Sequence, residues 1–447
     1  MHALKVLAAA LLICVSAEVA LSQDTHHERI TTMLAEVSEQ RLQDHVRAME
    51  EAGGTRNRVT FTSGKDSAAV YIRLAFEAMP GIDEVHIDTF YIASAVPPFN
   101  LKPQVNVIAV MRGTLPSDEY FVVGSHYDAT ADRDAGWNNG QNWQSIQAPG
   151  ANDNGSGVAA LLEMAHIMSA PEFGYRPEST IKFVAFGAEE RLPAPVGTGN
   201  HFGSRHLARQ ARLQGHTIRG MVSVDMIGFN ERNNYTAIVK VNNEMASASA
   251  ALGARYVQAN QNFFTGLIMN GFPFANGTYS DHQSYADEGY PAILIIENAA
   301  PWNTNTYYTA NPYYHMTTDT RDRINYELVR RVTQLNIAAL ATEAGVATGL
   351  TESIFSDLPT AAQLNPNYPN PFNPTTNIPF SLPEASPIRL TVYNAVGQQI
   401  AVLADGVWSS GEHVIPFNAD GLSSGLYVYR LETTGGITQS RTMLLVK

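Results

Sequence analysis

Cysteine is nearly absent from this sequence: Cys14 is the only one in 447 residues. A disulfide framework is thereby excluded, and so is any zinc or iron–sulfur site built on thiolates. Positive charge is scarce as well. Lysine and arginine number 29 against 42 aspartates and glutamates, a net charge of −13, and such an acidic surface repels a nucleic-acid backbone. Only 16% of residues are charged while 45% are hydrophobic, which excludes global disorder and supplies a sizeable core. Long apolar runs are missing after the N-terminus, where no stretch approaches the ~18 residues of a membrane span. No transmembrane segment is expected.

What is present divides the chain into regions, and its length fits two or three domains. Residues 1–22 read as a signal peptide: Lys5 precedes the short apolar run Val6 to Val15, and Ala20 and Ser22 are small residues suited to cleavage after Ser22. Residues 23–350 form the main domain and 351–364 a linker. Residues 365–447 change character. They open on the proline-rich stretch Asn365 to Thr376 and continue as short alternating runs separated by Gly397, Gly406, Gly411, Gly421 and Gly435. The runs Asn377 to Leu382, Ile388 to Tyr393, His413 to Phe417, Leu426 to Leu431 and Thr438 to Val446 predict a small β-sandwich without a catalytic cluster.

The main domain predicts an α/β fold, a mixed and mostly parallel sheet flanked by helices. Its strands are Val105 to Met111, Glu119 to Gly124, Thr180 to Phe186, Met221 to Val224 and Ala292 to Ile296. Polar helix is expected over about Gln23 to Gly53, a helix over Gly155 to Met168, and a closing helix over Arg323 to Ala341. Ligands in such sheets gather beyond the carboxyl ends of strands, and metal-type side chains stand there. His126 and Asp128 follow the second strand, Glu189 and Glu190 the third, and Asp225 the fourth; Asp153 lies before a helix and His315 before the closing helix. Singly these are weak signals, since a glutamate pair is commonly a solvated surface and a His-x-Asp a hydrogen-bonded pair. Together, two histidines and several carboxylates suit two divalent ions sharing one carboxylate.

Two resemblances follow from these residues. The order His126-x-Asp128, Gly-Ala-x-Asp153-x-x-Ser-Gly, Glu189-Glu190, Asp225-Met226, Ser280-Asp281-His282 and His315-x-Thr-x-Asp319 resembles the two-zinc exopeptidases of bacterial leucyl aminopeptidase, aminopeptidase Y and glutamate carboxypeptidase II (metallopeptidase clan MH). The resemblance implies two Zn2+ ions bridged by Asp153, one adding His126 and Asp225, the other Glu190 and His315. It implies Glu189 as general base, Asp128 as the residue orienting His126, and a cis peptide between Asp153 and Asn154. The tail's Asn-Tyr-Pro-Asn-Pro-Phe-Asn-Pro-Thr-Thr opening, Val392-Tyr393-Asn394, Gly397-Gln398 and Ser424-Gly425-Leu426-Tyr427 resemble the immunoglobulin-like sorting domain of type IX secretion, with an accessory domain as the alternative.

A secreted or cell-surface zinc aminopeptidase acting on peptides or proteins is the resulting expectation, with the secretion machinery as partner of the tail. The alternatives are a carboxypeptidase, a glutaminyl cyclase, or a non-catalytic surface binding protein. Met226, Phe272, Phe274 and Tyr279 suggest an apolar substrate pocket or, equally, core. Ser280-Asp281-His282 cannot be a serine triad, because three consecutive residues do not reach its geometry. Two departures from the family pattern stand out. Arg191-Leu192-Pro193-Ala194-Pro195-Val196-Gly197-Thr198-Gly199 intervenes between the glutamate pair and Gly203-Ser204, and Trp137 and Trp143 lie in a second long loop, Thr130 to Gln147, readable as a rim or a solvated insertion.

Overall fold

The computed structural model describes residues 25–231, 235–241, 246–269, 275–276, 280–298, 309–346, 362–367, 370–383, 386–408, 411–433 and 438–446. The expected signal peptide, most of the expected linker, and Phe272, Phe274 and Tyr279 lie outside them. The chain divides into two compact units, Met1–Thr348 and Gly349–Lys447.

The first unit begins with three helices, α1 (25–35), α2 (Glu39–Glu50) and α3 (Ser63–Glu77). The polar N-terminal stretch thus forms two helices rather than one, because Ser38 caps α2 by accepting the Arg41 N–H at 3.3 Å. There follow β1 (Glu84–Phe90), β2 (Gln104–Met111), β3 (Glu119–His126), α4 (Gly157–Ser169), β4 (Thr180–Phe186), α5 (Phe202–Gln214) and β5 (Thr217–Val224). The unit continues through β6 (Ile238–Val241), α6 (Ala246–Phe263), β7 (Ala275–Asn276), α7 (His282–Asp287), β8 (Ala292–Ile296) and α8 (Tyr326–Ala344). The sheet order is β1-β2-β4-β3-β5-β8-β6-β7: β4, β3, β5 and β8 run parallel to one another at its centre, β1-β2 and β2-β4 pair antiparallel on one side, and on the other β6 is antiparallel to β8 and parallel to β7.

The central strands are mostly apolar because both faces are covered. Phe121 and Val123 of β3 enter the large core with α4, while Tyr120 and Val122 face the smaller cluster that includes Ala208 and Ala211 of α5. β4 divides the same way, with Ile181, Phe183 and Ala185 on one side and Val184 and Phe186 on the other. This sandwiching leaves the strands' carboxyl ends as the place where polar chain can emerge. Helix α4 starts at Gly157, two residues later than the sequence predicts, since Ala151–Ser156 forms a wider π-type turn before it. Among the described residues no helix is long and apolar enough to cross a membrane.

The two sheets of the second unit are antiparallel. One sheet pairs β9 (Gln363–Leu364), β10 (Thr375–Leu382) and β13 (Gly411–Asn418) in the order β13-β10-β9. The other pairs β11 (Ser386–Asn394), β12 (Gln399–Trp408), β14 (Gly425–Thr433) and β15 (Thr438–Leu445) in the order β12-β11-β14-β15. Phe380, Leu390, Val392, Tyr429 and Met443 share one core, as a sandwich requires. Strand β12 escapes the sequence reading: it is an edge strand with Val402 and Val407 exposed, so its pattern carries little burial signal.

Candidate metal centre

Every ligand-type residue singled out in the sequence stands at one end of the central sheet. His126 is the last residue of β3, Glu189 and Glu190 follow β4, and Asp225 follows β5. Asp153 sits in the Ala151–Ser156 turn ahead of α4, and His315 in the loop before α8. His126, Asp153, Glu189, Glu190 and Asp225 are all buried.

The turn that carries Asp153 is built by its neighbours. Asp319 accepts the backbone N–H groups of Asn152 and Asp153 on its two oxygens, at 2.9 and 3.0 Å. Asn152 reaches Glu297 through Nδ2 at 3.0 Å and accepts the Gly228 N–H at 2.8 Å, while Asn154 donates to the Val224 carbonyl at 2.9 Å. Both asparagines therefore tie the turn to the chain around the end of β5. Gly157 must be glycine, because a Cβ there would lie 2.4 Å from the Val224 oxygen. The Asp153–Asn154 peptide is cis, as the resemblance implies. Asn154 is fully buried.

Arg58 holds the approach to this turn. Its fully buried guanidinium donates to the carbonyls of Tyr127, Met49, Pro149 and Gly150. Burial pushes its pKa down to about 10. Arg58→Met would leave those carbonyls without a donor, and the expected loss is about 3–5 kcal/mol of unfolding free energy. Chemical denaturation checks it; a loss under ~1 kcal/mol would mean the carbonyls find other partners.

The two histidines present the same atom to the centre. His126 Nδ1 meets the Asp128 carbonyl at 3.2 Å, and His315 Nδ1 meets Asp132 Oδ1 at 2.7 Å. Each Nδ1–H is thereby engaged, which leaves Nε2 pointing inward with its lone pair. His126 Nε2 lies 3.3 Å from Asp153 Oδ1 and 3.4 Å from Asp225 Oδ1. His315 Nε2 lies 3.2 Å from Asp153 Oδ2 and 3.3 Å from Glu190 Oε2. One carboxylate thus offers its two oxygens to two histidines. Lone pairs facing carboxylates at these distances repel unless a proton or a cation lies between. Burial works against charging either histidine, yet the surrounding carboxylates, Glu189 above all for His126 and Glu190 for His315, raise both pKa values well above the usual range.

The carboxylates show the same tension. Burial pushes the Glu189 and Glu190 carboxyls up to about 8; for Glu189 the neighbouring His126 opposes the rise and Asp225 adds to it. Burial opposes ionisation of Asp153 too, but hydrogen bonds from His126 and His315 outweigh it and hold its pKa low. Among the described residues Glu190 Oε1 and Asp225 Oδ1 are buried with no hydrogen-bond partner. Oxygen and imidazole donors converging with such orphaned atoms fit divalent cations, whose charge would release the shared protons.

Asp128 meets His126 through its backbone rather than its side chain. Its carboxylate lies 3.8 Å from His126 Nδ1, outside hydrogen-bond reach, and it is the backbone carbonyl that His126 meets. The carboxylate accepts the N–H groups of Glu189 at 3.0 Å and Glu190 at 3.2 Å, with Thr60 Oγ1 at 2.9 Å. Asp128 therefore also fixes the glutamate pair.

Several residues escaped the sequence reading. His201 Nε2 lies 2.8 Å from Glu189 Oε1, and burial holds its pKa below the usual histidine value. Asp132 fixes His315, and Tyr314 stacks on the same ring at 3.8 Å. Glu297 and Arg58 work one layer further out. Ala188, His201, Met226 and His315 all have left-handed backbone, φ 50–58°, which non-glycine residues rarely adopt and which clusters where packing enforces it. The Ser280 and Ser223 hydroxyls share a hydrogen bond at 2.9 Å. Trp143 is buried beside Val59 and Phe90, so that part of the long loop is core rather than rim; Met226 packs with Leu294 and Ile296.

The model of Peptidase family M28 matches residues 106–340, the span that contains every one of these ligand-type residues. The chain belongs to peptidase family M28. The tail, residues 367–446, matches the secretion system C-terminal sorting domain, a mark of export to the exterior or the cell surface. Within the family, the chain is 26% identical over 264 residues to a probable zinc metalloprotease of Pyricularia oryzae, covering 52% of this chain and 48% of that one. The chain thus spans about half of that relative. In fold it is similar to the LapA aminopeptidase of Legionella pneumophila (TM-score 0.55, 21% identity, 71% of this chain and 75% of that one). It is also similar to a glutaminyl cyclase from an Acidobacteriales bacterium (TM-score 0.53, 21% identity, 68% of this chain and 94% of that one). At these identities the likeness is one of fold.

Proposed function

We propose that this M28 chain is an exported dizinc aminopeptidase that releases N-terminal residues from peptides. The observation that carries the reading is the Asp153 carboxylate, whose two oxygens face His126 and His315. His126 and Asp225 would hold one ion with Asp153, Glu190 and His315 the other. Charge supports the count of ions: Asp153, Glu189, Glu190 and Asp225 carry four negative charges when ionised, which two divalent cations balance. Zinc bound there supplies Lewis acidity toward a water and toward the scissile carbonyl.

The chain's own residues do the rest. Glu189 takes the proton of the attacking water and returns it to the departing amine. His201 occupies Glu189 Oε1, leaving Oε2, 3.9 Å from His126 Nε2, as the oxygen turned to the centre. Asp128 holds the backbone of Glu189 and Glu190 together, so base and ligand keep a fixed relation. A free α-ammonium finds acids here, Glu189 and the buried Asp281 among them. Arg58, the buried cation of the centre, is already spent on backbone carbonyls.

Substrate ends test this reading. N-acetylation of a cleaved peptide is expected to abolish release of its first residue, while C-terminal amidation is not. Product identification by mass spectrometry checks it, and loss of the C-terminal residue from the acetylated peptide would assign a carboxypeptidase instead. The fold likeness to glutaminyl cyclases keeps one second reading, which ammonia release from N-terminal glutaminyl peptides, the side-chain amide broken by the α-amine while every peptide bond stays intact, would select.

A further inference from the structure

The insertion after the glutamate pair is a rigid wall rather than a loose loop. Its neck is closed by the Leu192 N–H donating to the Gly199 carbonyl at 3.1 Å. Leu192 and Val196 are buried in a cluster with Ile92, Ala95 and Trp143, and the Val96 N–H donates to the Val196 carbonyl at 2.8 Å. Opposite stands the 130–147 loop, anchored where Asp134 accepts the Thr317 N–H at 3.0 Å and Asp132 bonds His315. The two loops touch, since a Cβ on Gly140 would lie 3.4 Å from the Ala194 nitrogen.

Between them lies a cavity of about 540 Å³, lined among others by Asp132, Trp137, Arg191, Pro193, Thr198 and Asn200. That is room for a peptide residue. It abuts the metal centre at two points: Arg191 directly follows Glu190, and Asp132 holds His315. Arg191 is the one cation of this lining, and Asp132 the one acid. Asp132 is committed to His315, whereas exposed Arg191 makes no ion pair among the described residues. Trp137 and Pro193 add apolar surface beside the guanidinium.

A guanidinium repels the α-ammonium of the residue being released, so this cavity does not suit the substrate's first residue. We infer that the cavity receives the residue on the carboxyl side of the scissile bond, and that Arg191 pairs there with a carboxylate of the substrate. The inference rests on the aminopeptidase reading and adds the substrate class: peptides acidic just beyond the cut. The carboxylate comes either from the free C-terminus of a dipeptide or from an aspartate or glutamate side chain in second position. Both offer two oxygens to a planar fork, the geometry in which arginine exceeds lysine.

The test compares kcat/KM of the zinc-loaded full chain on Leu-Ala-amide, Leu-Ala, Leu-Asp-amide and Leu-Lys-amide. Expected is a preference of about 10-fold for one or both carboxylate peptides over Leu-Ala-amide. Preference for Leu-Ala identifies the C-terminus as the source, and preference for Leu-Asp-amide the side chain. Arg191→Gln should bring the ratio to about 1, and Arg191→Glu should turn it toward Leu-Lys-amide. A merely structural role would slow all four peptides alike. No preference in the native chain, or a preference that survives Arg191→Gln, overturns the inference. The underlying reading fails separately, if Nα-acetyl-Leu-Ala is cut as fast as Leu-Ala.

Discussion

Replacing Glu189 by glutamine is expected to lower kcat by about 10²–10⁴-fold while zinc content stays at the native level. The amide keeps the shape of the side chain and its place beside His201 Nε2. It cannot accept a proton. The backbone contacts that place residue 189, its N–H to Asp128 and its carbonyl to the His201 N–H at 2.7 Å, do not involve the side chain and remain. Turnover and metal content should therefore separate, with kcat rather than KM carrying the loss. Metal analysis alongside steady-state kinetics reads both. A variant with full zinc and near-native turnover would remove Glu189 from the role of base.

Asp153→Ala is expected to empty the centre. Asp153 is the carboxylate that faces both histidines, so each ion would lose a ligand at once. Zinc should fall from about two equivalents toward none in the variant, with activity lost. His126→Ala, by contrast, should weaken chiefly one ion. Stability reads the same event without any substrate. A ligand that binds only the folded state adds about 4 kcal/mol per site at a thousand times its Kd. Chelation should accordingly lower the Tm of the native chain and leave that of Asp153→Ala almost unmoved. Retention of both ions by the variant, or a native Tm indifferent to chelation, would refute the bridging role.

The ligand-type residues were legible because their placement is odd for ordinary chain. Asp225 ends the run Val222-Ser223-Val224, and Glu189-Glu190 follows a strand apolar on both faces; acids there need a compensating partner. The central strands could be read for the same reason, since burial on both sides leaves continuous apolar runs. Edge strand β12 could not, because Val402 and Val407 face solvent and break the pattern that burial imposes.

By itself, then, the sequence determined the α/β order, the separate β tail and the set of side chains available to a metal. These depend on local periodicity and on which residue types end each strand. Only the tertiary structure decided how those side chains are aimed. Asp132 lies 183 positions from the His315 it fixes, and Asn152 lies 145 from Glu297. His201 reaches Glu189 only because the intervening residues close on themselves through Leu192 and Gly199. The left-handed backbone at Ala188, His201, Met226 and His315 likewise follows from no local preference, since these residue types seldom adopt it alone. The physical reason is common to all: hydrogen bonds and packing between distant segments set these orientations, and a linear pattern carries no record of which distant segment will arrive.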